Sequence, residues 1–310
     1  MEALKKYYFQ LGYSCNNNCW HCFLPKSEHQ TELNTKQIKS TLLEAKKNGV
    51  NIIALTGGEP TIRDDIFDVI KYCKKLKFEQ IELQTNGRLC FYKKFARKIV
   101  EAGVTDVYVS FHSHKPDVQN YITRSPESFS QSSEGIKNLA NLDVRLQTNT
   151  VISKLNYHHL KELIIFFKKL GVKNIELDFP RPLGNAWKYF SQVMPTKTEV
   201  IPFLHEALET AENLGFETIF VDDYPLCFMR NYEKYNADFI ALQSFSLHDE
   251  NSFNICVESG LKPVQLHGKE KIKGPKCSEC KYNLICKGDW KEYIQKRGWD
   301  EFLPVKYEKI

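Results

Sequence analysis

Three cysteines near the start of the chain, Cys15, Cys19 and Cys22, lie in the run Cys15-Asn16-Asn17-Asn18-Cys19-Trp20-His21-Cys22. Their C-x3-C-x2-C spacing supplies three thiolates and no fourth. Three thiolates can hold three corners of a cubane of four irons and four sulfides, which leaves the fourth iron open to a small molecule. A structural metal site, by contrast, is normally closed by four ligands, and structural zinc motifs come as two well-spaced ligand pairs. The competing interpretation of the same run is a zinc site completed by His21 or by a distant residue.

About one strand–helix unit later comes Asn51-Ile52-Ile53-Ala54-Leu55-Thr56-Gly57-Gly58-Glu59-Pro60, which reads as a buried strand ending in a glycine turn. Two adjacent glycines let backbone approach a ligand closely. Glu59 then offers a carboxylate able to accept hydrogen bonds from a cationic amine.

On Cys15, Cys19 and Cys22, on Trp20 within their motif, and on Gly57-Gly58-Glu59-Pro60, the chain resembles the radical S-adenosylmethionine (SAM) superfamily. The resemblance implies a 4Fe-4S cluster on the three cysteines and SAM on its open iron, with the glycine-rich strand end against the SAM amine. It implies one-electron cleavage of SAM to a 5′-deoxyadenosyl radical. It also implies a low-potential electron donor such as flavodoxin or ferredoxin. Trp20, Gly57, Gly58 and Glu59 are the cofactor-binding residues it points to.

The elements that must position these groups alternate along the chain. Strands are expected at 7–13, 51–55, 80–84, 106–110, 145–150 and 174–177, with helices at 35–48, 66–75, 93–102, 133–142 and 158–170. Gly49, Gly103 and Gly171 follow helix ends, where a left-handed cap is favoured. Repeated βα units with buried strands predict a parallel sheet covered by helices. Six units match the partial (β/α)6 TIM-like barrel of the resembled family, an α/β fold in which functional groups gather at the C-terminal strand ends. By that resemblance Ser110 and Asn149, at the fourth and fifth strand ends, touch SAM. Asp178 and Arg181 are candidates to hold substrate, or an ion pair of their own. His112 and His114 are candidates for proton exchange, or solvated loop residues.

The barrel pattern fades near Trp187, and a boundary is expected around 194–199, giving a barrel over 1–195 and a second domain over 196–310. That second part begins with a helix at 196–214 and a strand at 217–221, with short hairpin strands at 253–257 and 262–266. It then reaches Cys277-Ser278-Glu279-Cys280-Lys281-Tyr282-Asn283-Leu284-Ile285-Cys286, a C-x2-C-x5-C ligand signature. Cys227, after a strand and a proline-fixed turn, is the favoured fourth ligand, and Cys256 the alternative. The tail resembles the small cysteine-rich α+β auxiliary-cluster domains called SPASM or twitch. That implies one further 4Fe-4S cluster, since no cysteine follows Cys286. A zinc ribbon is the other reading. Cys73 and Cys90 read as packing thiols.

The chain has 310 residues, 42% hydrophobic and 26% charged, with a formal net charge of +5. This composition is globular, and the lysine doublets fall on helices as solvated faces, giving nucleic acid little support. No run is apolar enough for a signal peptide or a membrane span. Ten cysteines without an export signal point to metal binding in a reducing cytoplasm. The expected activity is hydrogen abstraction from a carbon of a peptide or protein. A small-molecule or nucleotide-derived substrate in cofactor biosynthesis is the alternative. An iron–sulfur carrier without radical chemistry is the reading from another class.

Overall fold

The computed structural model describes residues 5–24, 32–243, 254–255 and 271–306. Strands and helices alternate as β1 (Lys6–Gln10), α1 (Thr35–Lys47), β2 (Ile52–Thr56), α2 (Ile66–Lys75), β3 (Gln80–Thr85), α3 (Lys93–Ala102) and β4 (Asp106–Ser110). They continue as α4 (Pro116–Thr123), α5 (Ser128–Ala140), β5 (Arg145–Val151), α6 (Leu160–Lys169), β6 (Asn174–Asp178), α7 (Gly184–Lys188), α8 (Phe190–Val193), α9 (Lys197–Asn213) and β7 (Thr218–Asp222). The remainder holds α10 (Ala237–Gln243), β8 (Asn254–Ile255), β9 (Lys271–Ile272), β10 (Asp289–Trp290) and α11 (Lys291–Arg297).

β1 to β7 form one parallel sheet in sequential order, curled into a half-barrel, and β8 adds in parallel to the outer edge of β1. Alternate side chains divide its two faces. Tyr7, Phe9, Ile53, Leu55, Ile81, Leu83, Val107, Val109, Ile175, Leu177 and Val221 are buried on the helix-covered face and form the main core. The concave face is polar: Lys6, Tyr8, Glu82, Gln84, Tyr108, Gln147, Asn149, Glu176 and Asp222 alternate with those residues. Near its floor Lys6 Nζ lies 2.6 Å from Glu82 Oε2.

Local chemistry explains the helix boundaries. Asn34 and Gln37 form a reciprocal capping box at the start of α1. Thr196 accepts from Glu199 N at the start of α9. Gly49 and Gly171 turn the chain out of α1 and α6 at φ of +79° and +85°, the left-handed conformation expected of them.

A seventh strand extends the predicted six: β7 pairs in parallel with β6 in register Asn174↔Thr218 to Asp178↔Asp222. α9 and β7 therefore add a further βα unit to the sheet. The cause is non-local, because α9 buries Val200, Leu204, Ala207 and Leu208 in the same core as α6. The expected hairpin strands at 253–257 and 262–266 lie outside the described residues, except for 254–255, which pair in parallel with Tyr8 and Phe9. No helix among the described residues is long and apolar enough to cross a membrane.

Candidate active site

The cysteine loop leaves the C-terminal end of β1 and is braced from three directions. Trp20 N and Asn18 N donate to Ile122 O and Thr123 O at the end of α4, both at 3.0 Å. Arg88 Nη1 and Asn86 Nδ2, just after β3, reach Asn16 O and Asn16 Oδ1, both at 2.6 Å. At the start of α7, Asn185 N donates to Cys22 O and Asn185 Nδ2 to Cys19 O, both at 2.8 Å. The three thiols are half-buried. Among the described residues no three cysteine or histidine ligand atoms come within 4.8 Å of one another. A tetrahedral zinc would draw thiolates to about 3.8 Å apart, whereas a cubane spreads its ligands over a wider cage. The His21 ring is buried and packs edge-on against His112 at 4.4 Å, and its Nδ1 has no hydrogen-bond partner. Burial holds His21 down to about 4 and His112 also well below the usual imidazole range. Trp20 packs on Tyr189, with centroids 4.7 Å apart, under the Arg124 guanidinium.

The glycine turn after β2 locks onto this loop. Gly58 N donates to Gly12 O at 2.9 Å and Glu59 N to Ser14 O at 2.8 Å. A Cβ on Gly58 would fall 2.2 Å from Ser14 O, and one on Gly57 would fall 2.7 Å from Gly12 O. The close approach that requires glycine is thus made by the chain's own backbone. Glu59 also sits differently from the sequence expectation. It is 2% exposed, and its carboxylate accepts from Thr61 N at 3.0 Å, Thr61 Oγ1 at 2.5 Å, Thr85 Oγ1 at 2.6 Å and Asn86 N at 2.6 Å. These bonds join the ends of β2 and β3. Burial raises its carboxyl above the usual range, with the hydrogen bonds opposing.

Across the mouth, register aligns Ser110 with Asn149, and Asn149 with Glu176. Asn149 Nδ2 donates to Asp178 Oδ2 at 2.7 Å and Gln147 Nε2 to Glu176 Oε2 at 2.9 Å. Carboxylate oxygens of Glu176, Asp178 and Asp222 all lie within 4.8 Å of one another. Burial first, then nearby carboxylates, raises all three: Asp222 acts on Glu176, which is raised to about 7, Glu176 and Asp222 act on Asp178, and Asp223 acts on Asp222. Asp178 and Arg181 do not pair directly. Arg181 Nε instead meets Asp223 Oδ2 at 2.6 Å, and its Nη2 lies 3.7 Å from Asp222. Lys271 Nζ is 2.8 Å from Asp223 and Trp290 Nε1 3.2 Å from it, so the tail is fastened to the barrel mouth here. Burial would raise Asp223, but Arg181 and Lys271 outweigh it and hold the carboxyl far below the usual range. His112 is 2% exposed and its Nδ1 accepts from Val151 N, so it is not a solvated loop residue. His114 packs edge-on near His159 at 5.9 Å. The sequence reading missed Gln147, Glu176 and Asp222. Their signal is period-two polarity on β5, β6 and β7, which has meaning only once the strands are paired.

Cys227 lies in the turn Leu226–Phe228 after β7, and Cys277 in the turn Pro275–Glu279 that leads to Cys280. These three and Cys286 line one cavity with Pro225, Tyr282, Trp299 and Phe302. Gly274 N and Gly288 N donate to the sulfurs of Cys277 and Cys286, at 3.3 and 3.4 Å. Burial pushes the Cys227 thiol up, and Cys286, Cys280 and Cys277 add to the shift. Cys256 lies outside the described residues. Cys73 and Cys90 are fully buried in the core, and burial pushes Cys73 up to about 12.

Comparison with known proteins supplies the family. The model of the Radical SAM superfamily matches residues 9–167. A probable GTP 3′,8-cyclase from Saccharolobus solfataricus is 32% identical over 176 residues, 56% of each chain. Another from Thermococcus kodakarensis is 31% identical over 214 residues, 65% of this chain and 66% of that one. The match thus spans little more than half of the first relative's length. Among solved structures, Streptococcus suis SuiB bound to S-adenosylmethionine superposes with a TM-score of 0.68 at 16% identity, over 99% of this chain and 76% of that one. anSMEcpe with bound AdoMet gives 0.65 at 15% identity, over 98% and 92%. These two likenesses are of fold alone. Because the family model covers half of the chain, including the whole thiolate loop and the glycine turn, the chain belongs to the radical SAM superfamily of enzymes.

Proposed function

We propose that the chain binds a 4Fe-4S cluster through Cys15, Cys19 and Cys22, cleaves SAM reductively, and abstracts a hydrogen atom from a carbon of a small-molecule substrate. The observation that carries this is the three-thiol loop, half-buried, braced from α4, β3 and α7, and locked to the Gly57-Gly58 turn. When bound, the cluster and SAM supply the electron and the 5′-deoxyadenosyl radical. The protein's own residues bind, orient and shield. Gly57 and Gly58 keep the β2 end against the cluster loop and offer backbone groups to SAM, while Glu59 holds that turn in place from behind. Ser110 and Asn149 face the mouth at one level, where a nucleoside ribose or carboxylate would hydrogen-bond. Trp20 and Tyr189 wall the loop on its far side.

The relatives named as GTP 3′,8-cyclases favour a small-molecule substrate over the peptide suggested by the sequence. The polar lumen qualifies that reading. Glu176, Asp178 and Asp222 face the mouth, and Arg181 and Lys271 are already engaged with Asp222 and Asp223, so a triphosphate would meet like charge there. A peptide is the second reading, because the same acidic wall would accept a basic side chain.

We assign the second cysteine set, Cys227, Cys277, Cys280 and Cys286, to an auxiliary 4Fe-4S cluster. Its support is that the four thiols line one cavity. A low-potential flavodoxin or ferredoxin is the proposed electron donor.

The test is anaerobic incubation with SAM and dithionite, read as 5′-deoxyadenosine. Cys19→Ala should abolish its formation and lose half of the bound iron. Cys280→Ala should also lose half of the iron yet retain cleavage. A fully loaded chain that forms no 5′-deoxyadenosine would leave only the iron–sulfur carrier reading. Zinc in place of iron after anaerobic preparation would overturn the cluster assignments.

A further inference from the structure

We propose that Glu176, Asp178 and Asp222, on the floor set by Gln147, form a receptor for a protonated amine of the substrate. The proposal deepens the function above and rests on it for the identity of the occupant.

The carboxylates come from two adjacent strand ends, and their oxygens lie within 4.8 Å of one another. An ammonium group donating three hydrogen bonds of about 2.8 Å spreads its acceptors about 4.6 Å apart, inside that limit. The donors around them leave one oxygen of Asp178 and one of Glu176 without a hydrogen bond, while Asp222 Oδ2 has only the Arg181 guanidinium, 3.7 Å away. Asn149 Nδ2 bonds Asp178 Oδ2, and Asp178 Oδ1, though buried, receives no donor. Gln147 Nε2 bonds Glu176 Oε2. Asp223 N bonds Asp222 Oδ1. Gln147 itself gives an independent sign of a missing partner. It is 1% exposed with its head group against Glu176, and its Oε1 is buried without a donor. Buried polar atoms are normally paired, and one left open beside a carboxylate cluster marks a place for a ligand's N–H.

Charge points the same way. Four carboxylates, Glu176, Asp178, Asp222 and Asp223, stand against Arg181 and Lys271, with Lys6 also acting on Glu176, and a protonated amine would replace the protons that Glu176 and Asp178 are raised to hold. A divalent metal ion would also satisfy oxygen ligands. The orientation of the amides disfavours it. Asn149 and Gln147 turn their NH2 groups, not their oxygens, to the carboxylates, and the cations already in place are nitrogen donors.

The site lies on β6 and β7, at the far end of the sheet order from β1 and β2, which carry the cysteine loop and the glycine turn. Substrate seated there would face the cluster across the half-barrel.

The experiment uses the full chain without SAM or reductant. Binding of n-butylammonium and of n-butanol is measured by saturation-transfer NMR and titration calorimetry. Binding of Mn2+ is followed by electron paramagnetic resonance. The expected result is that the ammonium binds and the alcohol does not, and that Glu176→Gln and Asp178→Asn each weaken ammonium binding at least tenfold with unchanged circular dichroism. Equal binding in the two variants and the parent chain, or no ammonium binding, would overturn the proposal. Mn2+ that displaces the ammonium and is lost in both variants would reassign the site to a metal. Because the readout needs no radical chemistry, a chain that fails to cleave SAM can still pass. A chain that cleaves SAM but ignores the amine removes this proposal alone.

Discussion

Glu59 Oε2 accepts the backbone N–H of Asn86 at 2.6 Å while Glu59 Oε1 accepts the Thr85 hydroxyl at 2.6 Å, so one buried carboxylate joins the ends of β2 and β3. Asn86 in turn holds Asn16 of the cysteine loop. Glu59→Ala would leave these donors unpaired in a dry site. It should cost about 3 kcal/mol or more, and Glu59→Gln less, because one acceptor oxygen survives. Urea denaturation measures both. Equal loss in the two variants would contradict the assignment of the stabilisation to the accepted hydrogen bonds.

Gly58→Ala probes the same junction by volume alone. Its new Cβ would meet Ser14 O at 2.2 Å and Tyr13 O at 2.4 Å, both backbone atoms that cannot swing away. The β2 turn must then part from the cysteine loop, at a cost of about 1–3 kcal/mol. Iron incorporation should fall with it. Full iron content and an unchanged melting curve would show that the loop tolerates the separation.

Lys197 and Asp289 form a sealed ion pair at 3.0 Å, with side chains 0% and 1% exposed, beneath the rings of Phe179 and Tyr293. The pair joins the start of α9 to β10 in the tail. Lys197→Met alone strands a buried carboxylate and should cost about 3–5 kcal/mol. The double variant Lys197→Met with Asp289→Asn should recover much of that loss. Chemical denaturation of both variants decides it, and a double variant as unstable as the single one would contradict the account.

The acidic wall predicts a pH dependence of opposite sign to that of ordinary salt-bridged carboxylates. Burial and like charge raise Glu176 from 4.5 to about 7. The folded chain therefore holds a proton there that the unfolded chain releases, and stability must fall as pH rises between those values. Glu176 should itself contribute on the order of 1–3 kcal/mol more stability near pH 5 than near pH 8, against the opposite slope of the buried His21 and His112. Glu176→Gln should remove that contribution, so the variant loses stability relative to the parent near pH 5 but not near pH 8. Thermal melts at both pH values check this, and a slope unchanged in the variant would place its origin elsewhere.

What the sequence revealed and what it concealed follow from range. Cys15, Cys19 and Cys22, the Gly57-Gly58 turn, and Cys277 with Cys280 are local patterns, so spacing alone exposed them. Strand positions were legible because apolar runs alternate with amphipathic helices. β7 was not counted among the strands of the sheet because its pairing with β6 depends on α9 packing against α6, a tertiary choice with no local signature. Glu59 carried the right residue type for an amine contact, but only the partners on β3 reveal that its side chain turns inward. His112 looked like a loop residue because His21, which covers it, belongs to a distant turn. The acidic wall was invisible for the same reason: Asp222 joins Glu176 and Asp178 only through strand register.

β8 has a further consequence. Residues 254–255 of the tail lie alongside Tyr8 and Phe9, so the strand that launches the cysteine loop has neighbours on both sides. A barrel severed from that tail would present a bare row of amides and carbonyls along β1, the kind of seam through which copies of a protein zip together. The C-terminal segment then covers the Tyr8–Phe9 part of that seam as well as carrying thiols.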